Sequence, residues 1–149
     1  MLRTRFASAD QSPGLLLWQV TNRWQAAQRA ALAPLGLTHV QFVLLASAVW
    51  LAGSDGVVTQ RALADQAATD PMMTSQVLRT LESKDLVRRE AHPSDGRAKA
   101  ISPTPAGVEL ANRAIEVVER CDAAFFGVLD DRGRHLAALL VKVRDAAPR

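Results

Sequence analysis

The sequence predicts a mainly α protein with a small β-hairpin, in which a winged helix-turn-helix domain is flanked by helices at both ends. Two observations carry this prediction. Residues 59–84 contain two helical segments separated by a short turn, and the second segment opens on Asp70 and Pro71. Two alternating segments follow, joined by turn-forming residues at 92–96. A helix, a turn, a second helix and a hairpin in this order are typical of domains that bind duplex DNA.

The composition is that of a globular protein that needs no disulfides. The 149 residues are 48% hydrophobic and 22% charged, with one cysteine. No apolar run reaches the ~20 residues of a membrane-spanning helix, and the N-terminus lacks the apolar region of a signal peptide. We therefore expect a cytoplasmic protein that does not associate with a membrane.

Total charge does not identify a partner. The net charge is +3, and the segment 59–99 carries seven basic and six acidic residues. Such a balance is weak support for nucleic-acid binding. The placement of individual side chains must carry that interpretation.

The helices before the helix-turn-helix are marked by their start signals. Residues 1–13 are polar and without periodicity, so we expect a flexible N-terminal arm. A first helix starts after Ser12 and ends near Leu35. A second begins at Thr38, where Thr38 and Gln41 fit a capping box. It is apolar on nearly every side, which predicts burial in the middle of the domain.

The helix at 71–84 has one inward and one outward face. Asp70 is a good N-cap, and Pro71 is the preferred first helical residue. The inward stripe at i, i+3, i+4 and i+7 consists of Thr74, Val77, Leu78 and Leu81. The outward side chains, which can meet base edges, thymine methyl groups and phosphates, are Met72, Met73, Ser75, Gln76 and Arg79. Two alternatives stay open, namely a plain solvated face and a Met73 that packs inward against the second helix.

The rest of the chain reads as a hairpin and two helices. Strands are predicted at 86–90 and 99–102, and 57–58 could form a further, minimal strand. Thr104 and Pro105 start a long helix that runs to about Phe126. Residues 130–133 interrupt it, and a last helix follows.

Four features together resemble the MarR-type winged helix-turn-helix transcriptional regulators, over nearly the whole chain. Three of them are the phrases LTHVQFVLL, MTSQVLRTLESKDLVRR and HPSDGRAKAISPTPAG. The fourth is a chain of 149 residues with helices at both ends. Where the family most often has glycine after the recognition helix, this chain has Asp85, which tolerates the same left-handed backbone.

The resemblance implies a homodimer on double-stranded DNA. Residues 14–35 and 104–149 would form dimerisation helices, and residues 36–103 the DNA-binding domain, in one continuous structural domain. The helix at 71–84 would enter the major groove of a pseudo-palindromic operator. Arg97 would reach the minor groove from the hairpin tip, with its guanidinium held by the carboxylate of Asp95. Such regulators are most often repressors.

Further basic side chains lie on the predicted strands. Arg88, Arg89 and Lys99 are candidates for phosphate contacts, although charges on a strand edge can serve only to prevent aggregation. Arg97 and Asp95 could form an ordinary surface ion pair, worth ~0–1 kcal/mol. The hairpin context favours DNA contact, because arginine exploits the negative potential of a narrow minor groove.

The resemblance also implies a small-molecule effector, an aromatic acid or a phenol, in a crevice beside the first two helices. The candidate ligand-binding residues there are Trp18, Arg23, Trp24, His39 and Phe42. Core packing is the alternative for each of them. Peroxide-sensing members carry a cysteine near the start of the first helix, which this chain lacks. Cys121 is therefore expected to be a buried, apolar thiol.

An enzyme is not expected. The three histidines are dispersed, and no group of residues has metal-ligand spacing or a phosphate-binding glycine motif. We expect no catalytic residues, metal or cofactor. The alternative to a DNA-binding regulator is a winged helix that serves only as a protein-interaction module.

Overall fold

A computed structural model describes residues 3–54 and 56–148. The helices in these ranges are α1 (Pro13–Leu32), α2 (His39–Ala52), α3 (Gln60–Ala67), α4 (Pro71–Ser83), α5 (Pro105–Phe126) and α6 (Gly133–Ala146). A two-stranded antiparallel sheet, β1 (Val87–Ala91) and β2 (Lys99–Pro103), follows α4. The predicted fold class is confirmed.

Side-chain caps set the helix boundaries that the sequence predicts. The carboxylate of Asp70 accepts a hydrogen bond from the Met73 amide at 2.9 Å. Thr38 and Gln41 form the complete capping box at the start of α2. Each cap satisfies amide groups that have no partner in the first turn of a helix. The predicted helix starts are therefore confirmed.

Helix α2 lies in the middle of the domain, against α1, α3, α4 and α5. Its side chains Leu44, Leu45 and Ala48 are fully buried. Trp50, near the end of the same helix, is 75% exposed. The prediction of burial is confirmed for most of α2 and is wrong for this last turn, where α3 and α5 leave an open groove.

The hairpin is connected to α3 as well as to α4. Ile101 donates its amide hydrogen to the carbonyl of Val58 at 2.8 Å, and Thr59 forms an isolated bridge with Ala100. The possible strand at 57–58 does not form, and the bridge lies at Thr59. It joins β2 to the residue that caps α3, so the hairpin and the helix-turn-helix share one framework.

The turn between α4 and β1 brings α5 very close to the backbone. Asp85 has φ +54°, the left-handed conformation that an aspartate tolerates. Its carbonyl accepts a hydrogen bond from the Thr104 hydroxyl at 2.6 Å. Gly107, on the first turns of α5, faces the carbonyl group of Leu86 so closely that a Cβ atom would overlap it. Helix α4, the hairpin and α5 are therefore held together at this turn.

The terminal helices keep many apolar side chains uncovered in a single chain. No residue of α6 is buried, and Val143 is 63% exposed. At the start of α1, Leu17 is 53% and Trp18 68% exposed. Apolar surface on this scale is typical of a surface that binds another protein.

Within 3–54 and 56–148, no single helix is long and apolar enough to cross a membrane. Two consecutive helical segments, Pro13–Leu35 and His39–Ala52, reach that length and hydropathy together, but they bend by 74° where they meet.

In the predicted N-terminal arm, Ala9–Gln11 form a 3-10 helix, and Met1 and Leu2 lie outside the described residues.

Candidate nucleic-acid interface

Helix α4 presents an exposed face, which we name the recognition face and which consists of Met72, Met73, Ser75, Gln76 and Arg79. Met72 is 81% and Met73 44% exposed, so Met73 does not pack inward against α2. Ser75 is half-buried. Of the opposite stripe, Thr74, Leu78 and Leu81 are fully buried as their spacing predicts, and Val77 is half-buried.

A buried hydroxyl group helps to fix the start of this helix. The Thr74 hydroxyl donates to the carbonyl of Asp70 at 2.8 Å and lies 2.7 Å from the hydroxyl of Thr69. Thr74 is fully buried, and a buried hydroxyl without a partner would cost stability. These bonds tie the turn before α4 to its first turn and so orient the recognition face.

The wing, which we define as β1, β2 and the loop at 92–98, has an ordered tip. The ring Nδ1 of His92 accepts hydrogen bonds from the amides of Ser94 and Asp95 at 3.2 and 3.1 Å. The carboxylate of Asp95 in turn accepts from the amide of Arg97 at 3.0 Å. The side chain of Arg97 is exposed.

The predicted contact between the Asp95 carboxylate and the Arg97 guanidinium is wrong. Among the described residues the ion pairs are Arg89 with Glu82 and Arg144 with Asp145. The short aspartate side chain reaches the main chain two residues on, forming a turn typical of aspartate. Asp95 therefore shapes the backbone and leaves the guanidinium of Arg97 extended into solvent.

Arg89 forms an ion pair that the sequence did not predict. Its Nε lies 2.9 Å from the Oε2 of Glu82 on α4, and its side chain is only 21% exposed. That Arg89 also contacts a phosphate stays a prediction, because the ion pair occupies its Nε alone. The two other candidates on the strands, Arg88 and Lys99, are exposed. Glu82 lies on α4 and Arg89 on β1, seven residues apart. Neither helical nor strand periodicity continues across the turn between them, so no sequence pattern predicts this pair.

The structure brings together only two of the five predicted ligand-binding residues. The rings of Trp24 and His39 meet edge to face, with centroids 4.9 Å apart. Phe42 is buried in the core, Trp18 is 68% exposed, and Arg23 is exposed.

Asp122 on α5 binds one member of this aromatic pair and joins α5 to α1, a role that no sequence pattern indicates. Its Oδ1 accepts hydrogen bonds from the Trp24 indole at 2.7 Å and from the Gln28 amide at 2.6 Å. Burial lowers the pKa of His39, and Arg29 adds to this effect, while Asp122 opposes it. Cys121, which precedes Asp122 in the sequence, is half-buried. The thiol that was expected to be buried is therefore only partly enclosed.

An open groove of about 410 Å³ lies between α2, α3 and α5. Its walls include Trp50, Gln66, Asn112 and Ile115. None of the five predicted ligand residues lines it. The exposed Trp50 at the end of α2 is the residue that could have indicated this groove. Because α2 is apolar on nearly every side, its sequence does not show which of its side chains is exposed.

An exposed recognition helix beside a two-stranded wing defines a winged helix-turn-helix protein. Residues 37–99 match the model of the MarR family. Together with the relatives described next, which match most of the chain, this shows that the protein belongs to the MarR family of transcriptional regulators. Members of this family are DNA-binding regulators and not enzymes.

Two relatives align over most of their length. The HTH-type transcriptional regulator YdcH of Bacillus subtilis is 41% identical over 136 residues, which make up 91% of this chain and 92% of YdcH. The HTH-type transcriptional repressor Rv2887 of Mycobacterium tuberculosis is 40% identical over 116 residues, or 77% of this chain and 81% of that repressor.

Two solved structures have the same fold. A mutant of MarR from Escherichia coli, complexed with operator DNA, has a TM-score of 0.78 and 26% identity, over 87% of this chain and 91% of that one. CouR from Rhodococcus jostii, bound to p-coumaroyl-CoA, has a TM-score of 0.81 and 24% identity, over 97% and 99% of the two chains. At that identity the likeness to CouR shows the fold alone.

Proposed function

We propose that the protein is a dimeric repressor that binds a pseudo-palindromic operator and acts in the cytoplasm. The observation that carries the proposal is the exposure of the recognition face while the opposite side of α4 is buried. A helix held in this way can enter a major groove while its buried side keeps all its contacts with the rest of the domain. Methionine, serine, glutamine and arginine side chains then meet base edges and thymine methyl groups.

The wing contributes a second contact under this proposal. Arg97 stands at the tip of an ordered loop with its side chain in solvent, at a position from which it can enter the minor groove beside α4. A narrow minor groove attracts an arginine through its negative potential. Arg88, Arg89 and Lys99 are proposed as candidates to meet phosphates near the strands.

Dimerisation by the terminal helices, residues 14–35 and 104–149, is supported by their uncovered apolar side chains. Two copies would bury the side chains of α6 and the start of α1 that a single chain exposes. The light-scattering mass of the purified protein tests this directly, with a dimer expected. Val143→Asp should give a monomer, whereas Val57→Asp should not, since Val57 is 47% exposed but lies in residues 36–103. A monomeric wild type would contradict the proposal.

A repressor is favoured because the relative Rv2887 carries that name. An aromatic or phenolic effector is proposed to lower the DNA affinity, and a bound p-coumaroyl-CoA in a CouR structure supports this class of ligand. Two places can receive it: the Trp24–His39 pair and the groove beside Trp50. Either place lies between α5 and the helices of the DNA-binding domain, so an occupant can change their relative position.

Binding to DNA should be tested with the intergenic sequence beside the protein's own gene, using fluorescence anisotropy at several salt concentrations. We expect a tight complex with one palindromic site and weak, strongly salt-dependent binding to a shuffled duplex. Arg97→Ala should weaken the specific complex without changing the dimer or the melting temperature. Equal affinity for both duplexes, or none for either, would leave the protein-interaction module as the better function.

The effector is tested by titrating hydroxycinnamic and salicylic acids into the protein–DNA complex. Release of DNA together with quenching of tryptophan fluorescence is expected. Trp50→Phe and Trp24→Phe variants distinguish the two places, because only one of them should remove the quenching. An affinity for operator that none of these acids changes would refute an aromatic effector of this class.

A further inference from the structure

A cleft of about 760 Å³ separates the wing from α3 and the start of α4. One wall consists of Gln60, Arg61 and Asp65 on α3, and the other of Arg97 and Lys99 on the wing. The bridge between Thr59 and Ala100 closes the inner end of the cleft. Its walls thus belong to one connected framework, and its width is fixed by backbone hydrogen bonds.

The geometry of duplex DNA determines what this cleft must receive. A major groove and the adjacent minor groove are separated by one sugar–phosphate strand. If α4 enters the major groove and the wing tip enters the minor groove, the strand between them has to pass between α4 and the wing. The cleft lies on this path, because it is lined by the wing, by Pro71 at the start of α4 and by α3.

The charges in the cleft suit a phosphate strand at its mouth. Three cationic side chains, Arg61, Arg97 and Lys99, line the cleft, with two carboxylates, Asp65 and Asp95. The carboxylate of Asp95 is turned onto the amide of Arg97. Arginine and lysine carry their charge at the end of long side chains, whereas the aspartate charge stays near the backbone. A phosphate at the mouth therefore lies closer to the cations.

We propose that this cleft holds the sugar–phosphate strand between the two grooves, and that Arg61 of α3 is its main phosphate-binding residue outside the recognition helix and the wing. The inference rests on the proposed DNA-binding function. It makes Arg61 a contact that adds affinity for every DNA sequence. It also makes Asp65, four residues further on the same helix, a residue that limits that affinity.

The test measures the salt dependence of DNA binding for the full-length protein and its variants. Each phosphate contact contributes about 0.9 to the slope of log K against log salt concentration. Arg61→Ala should reduce the slope by about 1.8 for a dimer that uses both copies of the residue. It should weaken operator and shuffled duplex by the same factor, about tenfold. Arg61→Lys should restore most of the slope, because lysine also binds phosphate.

Two further variants separate a local contact from a change in total charge. Asp65→Asn should tighten binding to both duplexes, since it removes a carboxylate from the cleft. Arg5→Ala removes the same charge as Arg61→Ala but from an exposed position before α1, and it should leave the slope unchanged. An Arg61→Ala slope equal to that of the wild type, or a reduction matched by Arg5→Ala, would overturn the inference.

The outcomes also distinguish this inference from the proposed function. A wild type that binds no DNA refutes the regulator itself. A wild type that binds the operator, together with an Arg61→Ala variant of unchanged slope and affinity, refutes only the cleft. Arg61 is exposed near the start of α3, and alanine favours helix, so the variant should remain folded. Its circular dichroism and melting temperature verify this.

Discussion

The carboxylate of Asp95 accepts a hydrogen bond from the backbone amide of Arg97, at 3.0 Å, and so fixes the main chain of the wing tip. An asparagine can accept the same hydrogen bond through its side-chain oxygen, whereas an alanine cannot. We therefore expect Asp95→Asn to keep operator affinity within about threefold and Asp95→Ala to lose about thirtyfold, as expected for one hydrogen bond of ~1 kcal/mol lost in each copy of a dimer. Anisotropy titrations measure both. If the two variants lose affinity equally, the carboxylate charge matters and not the turn.

The ion pair of Glu82 and Arg89 anchors the wing to the recognition helix. Because both side chains are partly exposed, its loss should lower the free energy of unfolding by only ~0.5–1 kcal/mol. Glu82→Gln removes a negative charge, which by itself should strengthen DNA binding. We expect weaker operator binding, because the wing loses its fixed angle to α4. Glu90→Gln, an exposed change of equal charge on β1, is the matched control. Tighter binding by Glu82→Gln would show that the anchor is unimportant.

Gln76 is exposed near the middle of the recognition face, where an amide can donate to and accept from a base edge. Gln76→Ala should reduce the preference for operator over single-base variants at one position by ~1–3 kcal/mol, with little change on shuffled DNA. Competition titrations against a set of single-base operator variants measure this preference. A uniform loss on all sequences would assign Gln76 to the DNA backbone.

Gly107 allows α5 to lie against the main chain of Leu86. In a Gly107→Ala variant the new methyl group would overlap the carbonyl oxygen of Leu86 and lie 2.9 Å from its carbonyl carbon. Since both atoms belong to the backbone, we expect a loss of about 3 kcal/mol or more in the free energy of unfolding, at the upper end for an overpacked site. Urea denaturation measures it. Gly127→Ala, where a Cβ meets nothing within 4 Å, should be nearly neutral. Equal stabilities for the two variants would contradict this close packing.

His39 gives the fold a pH dependence. Burial lowers its pKa below the ordinary value of 6.5, so the folded state binds a proton less readily than the unfolded chain. The stability that comes from neutral His39 is complete above pH 6.5. It is lost as the pH falls from there towards the folded-state pKa. Melting temperatures between pH 8 and pH 5, the range from about 1.5 units above to 1.5 units below the reference value, should fall less in His39→Gln than in the wild type. The exposed His135→Gln should behave like the wild type.

Much of the fold is encoded in short stretches of sequence. The caps at Thr38, Asp70 and Thr104 begin helices because each satisfies amide groups within three residues of itself. The buried stripe of α4 follows from helical periodicity for the same local reason. Met72 and Gln76 could therefore be assigned to an exposed face from the sequence.

The contacts that define the candidate site were decided only by the tertiary structure. Glu82 meets Arg89, and Trp24 and Gln28 meet Asp122 94 or more residues further along the chain. No periodicity connects such residues, since their distance depends on the path of the chain between them. The cleft depends on the tertiary structure in the same way, because it is formed between Arg61 on α3 and Lys99 on the wing. The sequence by itself determined the helices and the face each one presents, because those depend on neighbours along the chain. The tertiary structure decided which charges are paired and which are exposed, because that depends on neighbours in space.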